Sequence, residues 1–203
     1  SMVALTKDNL KARLAYSTVS QLSYITLGAM LATSMGIMGG AFQIAMHAMG
    51  KITLFFCAGA IYTAAHKTEI SDMDGLGRKM PFTYVAFLLG ALSIIGLPPM
   101  GGSWSKWFLI AGSADAGHLA MVFVLLISSL LNIAYLLPIV ARGFFARPND
   151  TKEVDNPTGE PMGWTIKEAP LFCVVPLCLT ALGTIVLFFY ADPIYTFLKP
   201  MVE

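Results

Sequence analysis

Residues 81–113 read PFTYVAFLLGALSIIGLPPMGGSWSKWFLIAGS, and the middle of this stretch decides the fold. As one helix, a segment of this length would extend about 50 Å, well beyond the roughly 30 Å of a membrane's hydrocarbon core. Midway along it stand Gly96-Leu97-Pro98-Pro99-Met100-Gly101-Gly102. Two prolines remove backbone donors and the glycines loosen the chain, so the helix is expected to break into two halves here. Backbone groups released at membrane depth must face protein or water rather than lipid, which makes a broken helix a candidate transport element.

Four more apolar runs, 14–33, 41–65, 118–141 and 169–190, are each long enough to span a membrane. The pieces between them are short and Gly-rich or charged, apart from a polar loop at 145–168. The runs are continuous rather than alternating, so helices are expected and a lipid-facing barrel is not. Of the 203 residues, 56% are hydrophobic and only 12% charged, with a mean hydropathy of +0.69. That is about half the charge of a soluble domain. A formal net charge of +1 offers no basic face to nucleic acid. The expected fold is all-α and polytopic, with five transmembrane helices of which the third is discontinuous. It divides into an N-terminal segment (1–13), a four-span bundle (14–145), a loop (146–168), and a final helix with its tail (169–203).

Basic residues set the orientation. Lys7, Lys11 and Arg13 precede the first span, Lys67, Arg78 and Lys79 lie between the second and third, and Arg142, Arg147, Lys152 and Lys167 lie between the fourth and fifth. With five spans all of these fall on one side, and only Lys199 falls on the other. The N-terminus and the 146–168 loop are therefore expected on the cytoplasmic side of an inner or plasma membrane, and the C-terminus on the opposite side.

Two basic residues remain, Lys51 and Lys106, and both lie inside predicted spans. Lys51 is near the middle of its span, too deep to reach either surface comfortably. His47 and Gln43 precede it at intervals of four residues, so all three share one helix face. Ionisable groups at membrane depth are costly, and by default they mark a pathway. Lys106 follows the Pro/Gly break by about one turn, flanked by Trp104 and Trp107, and water at the break would give a proton access to it. The two tryptophans also fit an interfacial position from which Lys106 would snorkel. All twelve acidic residues lie in loops or ends, so the buried chemistry favours protons carried by lysine and histidine over a carboxylate-lined sodium site. Cys57, Cys173 and Cys178 fall in apolar runs and read as core filler. GxxxxGK, CxxC and HExxH motifs are absent, and no cofactor or metal is expected.

Four passages resemble the proton-conducting, antiporter-like membrane subunits shared by Mrp-type cation/proton antiporters, NADH-quinone oxidoreductase and membrane-bound hydrogenases. They are Asp8-Asn9-Leu10-Lys11-Ala12-Arg13-Leu14-Ala15-Tyr16-Ser17-Thr18-Val19-Ser20-Gln21, His47-Ala48-Met49-Gly50-Lys51, Gly75-Leu76-Gly77-Arg78-Lys79-Met80-Pro81, and Gly96-Leu97-Pro98-Pro99 running to Ser105-Lys106. The resemblance implies a fourteen-helix fold of two inverted five-helix repeats, of which this chain is similar to helices ten to fourteen, with residues 3–5 like the end of helix nine. It also implies a proton relay through Lys106, Lys51, His47 and Lys11, supported by Gln43, Pro98, Pro99 and Ser105. Gln43 stands where some members have a second histidine, and Lys106 where others have glutamate. The implied partners are other subunits of a multisubunit membrane complex, membrane lipid and protons, with sodium or potassium as a coupling ion. The D-type subunit of an Mrp antiporter is the first expectation, and the pump module of a respiratory complex or hydrogenase the alternative. The paired glutamate and lysine of the family's first half have no counterpart in this chain, so the chain alone is not expected to act as an antiporter.

Overall fold

The computed structural model describes residues 1–146 and 166–201, and among these it is built from helices. They are α1 (Met2–Thr6), α2 (Leu10–Met30), α3 (Ser34–Ala65), α4 (Leu76–Lys79), α5 (Pro81–Ile95), α6 (Gly102–Asp115), α7 (Leu119–Phe145), α8 (Leu171–Phe189) and α9 (Ala191–Leu198). α3, α7 and α8 are by length and composition each able to cross a membrane, and α5 is a shorter apolar helix. α3 is the central element. In its most apolar stretch 56% of residues are buried, against 22% in α7 and 17% in α8, which turn most of their apolar surface outward as lipid-facing helices do.

The break expected in the 81–113 segment falls between α5 and α6. Gly96 takes a left-handed φ of 86°, closing α5 with its amide donating to the Leu92 carbonyl at 2.9 Å. Such a terminus suits glycine, which has no Cβ to clash. The Pro98-Pro99 peptide that follows is cis. Gly102 starts α6 with its Cα against the Ser93 carbonyl, where any side chain would collide.

One end of the bundle is fastened by polar contacts. Asn9 caps α2 by accepting from the Ala12 amide at 3.1 Å, and Leu10 donates to the Thr68 carbonyl just past the end of α3. Arg142, near the end of α7, grips Asp74 with two hydrogen bonds of 2.7 and 3.0 Å, while Arg78 donates to the Phe144 carbonyl at 2.7 Å. Glu168 caps α5, accepting from the Phe82 amide and the Thr83 hydroxyl at 2.7 Å each. At the other end Thr33 Oγ1, before α3, approaches the Gly112 carbonyl of α6 at 3.4 Å. α2, α3, the α5–α6 pair and α7 thus run alternately between the two ends, and α8 leaves from the fastened one.

Two features depart from the sequence expectation. α3 begins seven residues before the predicted 41, because Gly36, Gly39 and Gly40 are helical rather than part of a separator. A Cβ on Gly28 would lie 2.5 Å from the Gly36 carbonyl, and one on Gly112 would lie 2.5 Å from the Gly36 amide, so small residues here let α2, α3 and α6 touch backbone to backbone. The tail after Tyr190 forms α9, whose Ala191, Ile194 and Leu198 pack on Met38, Phe42 and Met46 of α3. Asp192 and Pro193 both suit the first turn of a helix. Of the 146–168 loop, residues 147–165 lie outside the described residues, as do Arg147, Lys152 and Glu203.

Candidate functional site

Lys51 and Lys106 are both buried, 5% and 7% exposed, and each amine meets one carbonyl and one serine. Lys51 Nζ donates to the Leu14 carbonyl at 2.9 Å and to Ser17 Oγ at 2.8 Å, both on α2. Lys106 Nζ donates to the Ile95 carbonyl at 2.6 Å and to Ser129 Oγ of α7 at 2.9 Å, and it lies 5.5 Å from the centre of the Tyr24 ring. Among the described residues no carboxylate pairs with either lysine. Two acceptors satisfy the two N–H groups of a neutral amine and leave its lone pair free, while an ammonium carries a third donor. Both sites therefore satisfy the neutral amine in full and two of the three donors of the ammonium.

The helix break creates the Lys106 site. In an unbroken helix the Ile95 carbonyl would accept from residue 99, which is Pro99 and has no N–H. Lys106 takes that orphaned acceptor. Its aliphatic stem crosses Gly96 so closely that a Cβ there would lie 2.6 Å from Lys106 Cδ. Pro98 and Pro99 themselves are exposed, and they act through the backbone bonds they withhold. The break is held from the other side by α8, whose Thr184 carbonyl accepts from the Gly101 amide at 2.9 Å. The inward direction of Lys106 removes the snorkelling alternative. Trp107 is 67% exposed and Trp104 donates its indole N–H to the Phe188 carbonyl at 3.0 Å, so the tryptophans face away from the lysine's partners.

Gln43, His47 and Lys51 all lie on the buried side of α3, as their spacing predicts. Gln43 bridges three helices: its Nε2 donates to Gln21 Oε1 at 2.8 Å, and its Oε1 accepts from the Ser105 hydroxyl. His47 is buried and its Nδ1 has no protein partner. Lys11 is not brought into this cluster. It is exposed at the start of α2, one turn before the Leu14 carbonyl that holds Lys51, with its Nζ 4.9 Å from the centre of the Tyr62 ring.

The structure adds a set of residues that sequence reasoning did not single out. Ser17, Gln21 and Tyr24 form a buried polar stripe on α2, at helical spacing of four and three. Asn132 and Tyr135 face it from α7, both fully buried, with Ser128 and Ser129 one turn earlier. The Tyr135 hydroxyl is hydrogen-bonded to Ser17 Oγ at 2.8 Å and to Asn132 Oδ1. Tyr24 donates to Ser128 Oγ at 2.6 Å. The spacing of Ser17, Gln21 and Tyr24 was the available signal, but a stripe of neutral polar residues is equally at home as interhelical packing.

Outside the membrane-spanning helices, the Arg142 guanidinium holds the Asp74 carboxyl below the usual carboxylate range, against the opposing effect of burial.

A bundle of apolar helices with one broken element, and buried amines that meet no carboxylate among the described residues, is the architecture of a polytopic membrane protein. The comparisons agree: residues 1–132 match the family described as NADH:quinone oxidoreductase/Mrp antiporter, TM, and the chain belongs to that family. It is 33% identical over 195 residues to NADH-quinone oxidoreductase subunit N of Desulforudis audaxviator, covering 96% of this chain and 39% of the relative. It is 34% identical over 186 residues to NADH-ubiquinone oxidoreductase chain 5 of Metridium senile, covering 90% and 29%. Among solved structures, it superposes on a chain of the membrane-bound sulfane sulfur reductase, an archaeal respiratory membrane complex, with a TM-score of 0.77 and 26% identity, covering 91% of this chain and 29% of that one. A chain of respiratory complex I from Thermus thermophilus with bound NADH shares the fold at a TM-score of 0.82 and 23% identity, covering 99% and 40%. This chain thus spans well under half the length of these relatives.

Proposed function

We propose that this chain forms part of a proton-translocating subunit of a multisubunit membrane complex, with Lys106 as its principal proton carrier. His47 and Lys51 deliver protons to Lys106, Lys11 influences entry from the cytoplasmic end, and Gln43, Ser105, Pro98 and Pro99 hold the site in shape. The observation that carries this reading is the pair of buried lysines, each held by two neutral acceptors that satisfy the uncharged amine and each without a carboxylate partner among the described residues. Five crossings, with α5 and α6 together making the third, accord with the alternating run of the helices and with the basic residues gathered at the fastened end. They correspond to helices ten to fourteen of the family fold, in an inner or plasma membrane with the N-terminus cytoplasmic.

Two settings fit the family equally: a D-type subunit of an Mrp antiporter, and a respiratory complex, the setting of the relatives named above. In that setting redox chemistry resides in other subunits and this one moves protons. The test uses the assembled complex containing this chain, reconstituted in vesicles with a pH-sensitive dye inside. Proton flux is expected when an electron donor and a quinone are supplied. Flux driven by a sodium or potassium gradient alone would instead establish the antiporter reading. Wild-type flux from Lys106→Ala would overturn the relay in either setting.

A further inference from the structure

We infer that Tyr135, set between Ser17 and Asn132, is the link through which Lys51 and Lys106 exchange protons by way of α2 and α7. The inference rests on the relay reading above and adds to it residues outside the Lys and His row. The two lysines are held by different elements: Lys51 by α2, Lys106 by the end of α5 and by α7. Hydroxyl and amide groups bridge the gap. Ser17 Oγ accepts from Lys51 Nζ and is 2.8 Å from the Tyr135 hydroxyl, which also meets Asn132 Oδ1. On the far side of Asn132 lies the Tyr24 hydroxyl, with Ser128 and Ser129 beside it, and Ser129 Oγ accepts from Lys106 Nζ.

Serine and tyrosine hydroxyls both donate and accept, so each can receive a proton on one side and release its own on the other. An aliphatic helix contact needs none of these groups. Two buried amide donors on the route, Gln21 Nε2 and Asn132 Nδ2, have no protein partner, and Gln21 lies beside the Tyr135 hydroxyl. A buried donor calls for an acceptor, and water is the ligand that satisfies both amides while joining Tyr135 to Tyr24.

The transfer balances. The Lys51 ammonium gives a proton to Ser17, Ser17 passes its own to Tyr135, and Tyr135 releases its own towards water and Tyr24. Tyr24 passes its own proton to the adjacent Ser129, and Ser129, once the amine has turned its lone pair towards it, gives its hydroxyl proton to the neutral Lys106. Every hydroxyl is restored, Lys51 is left neutral and Lys106 charged, and the net change is one proton moved. Asn132 is a positioning residue in this scheme: between transfers its Oδ1 takes the Tyr135 hydrogen and turns a lone pair of the phenol oxygen towards Ser17, and the hydrogen swings from Oδ1 to the water as Ser17 delivers its proton.

Tyr135→Phe in the assembled complex, reconstituted in vesicles, tests the link, because it keeps the ring in place and removes only the hydroxyl. Proton flux should fall by roughly tenfold or more, with unchanged yield of assembled complex. The residual flux should slow more in D2O than that of the parent, since a proton step has become limiting. Wild-type flux from Tyr135→Phe, with Lys106→Ala inactive, would overturn the link and leave the relay standing. Wild-type flux from Lys106→Ala would overturn the relay itself. A fall in flux without any change in the H2O/D2O ratio would make Tyr135 merely structural and would also overturn the link. Should Tyr135→Phe fail to assemble, Ser17→Ala carries the same expectations.

Discussion

Lys51 and Lys106 are chemically alike, each donating to one carbonyl and one serine, but the carbonyls differ in origin. The Leu14 carbonyl lies within the intact helix α2, where the amide of residue 18 is in place to bond it, and it also accepts from the Thr18 hydroxyl at 2.9 Å. Lys51 is an added donor there. The Ile95 carbonyl is orphaned by Pro99, and Lys106 supplies a bond the backbone cannot make. An unbroken helix can thus host a buried lysine only as a guest, whereas a broken one builds a place for it. That difference suits the lysine at the break to the proposed role of carrier and the one on α3 to that of feeding it.

The largest effect that could break this comparison lies in transport. In the assembled complex, Lys106→Met should lower proton flux by roughly hundredfold or more, as expected when a proton-transferring group is lost. Equal loss from Lys51→Met would make the two sites equivalent. The next effect is on stability. Gly96→Ala puts a Cβ at a φ of 86° and against the Lys106 stem, at a cost of about 1–3 kcal/mol. Thermal unfolding in detergent should show a lower midpoint, and proton flux should drop as Lys106 is displaced.

The same unfolding measurement sharpens the contrast between the lysines. Lys106→Met strands the Ile95 carbonyl and Lys51→Met strands nothing of the backbone, so the first should be the less stable by about 1–3 kcal/mol, the cost of a buried unsatisfied group. The smallest effect is at the fastened end, remote from both lysines. Asp74 is held below the ordinary carboxylate value by Arg142, so the stability this pair contributes is complete above about pH 4 and is lost as pH falls through the lowered value. With Arg142 40% exposed, the contribution is about 1 kcal/mol or less. Asp74→Asn should therefore flatten the acid side of the stability profile by that amount and leave the neutral side of its shape unchanged.

The broken helix was legible in the sequence because proline's missing N–H acts locally, whatever surrounds it. The buried row of Gln43, His47 and Lys51 was legible too, since spacing fixes which residues share a helix face. What the sequence hid depends on neighbours distant along the chain. The glycines at 36, 39 and 40 look like a separator until Gly28, Leu109 and Gly112 are seen pressed against them. Nothing local tells Tyr135 from an interfacial tyrosine, because its partner Ser17 is more than a hundred residues away. Lys11 shares the passage that carries the family resemblance, yet its side chain lies over Tyr62 rather than in the cluster, a direction that spacing along α2 leaves undetermined.

The central claim is that Lys106 works by gaining and losing a proton rather than by standing as a fixed charge. It is tested most directly by the proton flux of Lys106→Arg in the assembled, reconstituted complex. A guanidinium keeps the positive charge and can still donate to the Ile95 carbonyl, but it does not release its proton at any working pH. Flux at the level of Lys106→Ala is the predicted result. Flux at the wild-type level would contradict the claim, and the carrier would then have to be sought at His47 or in water.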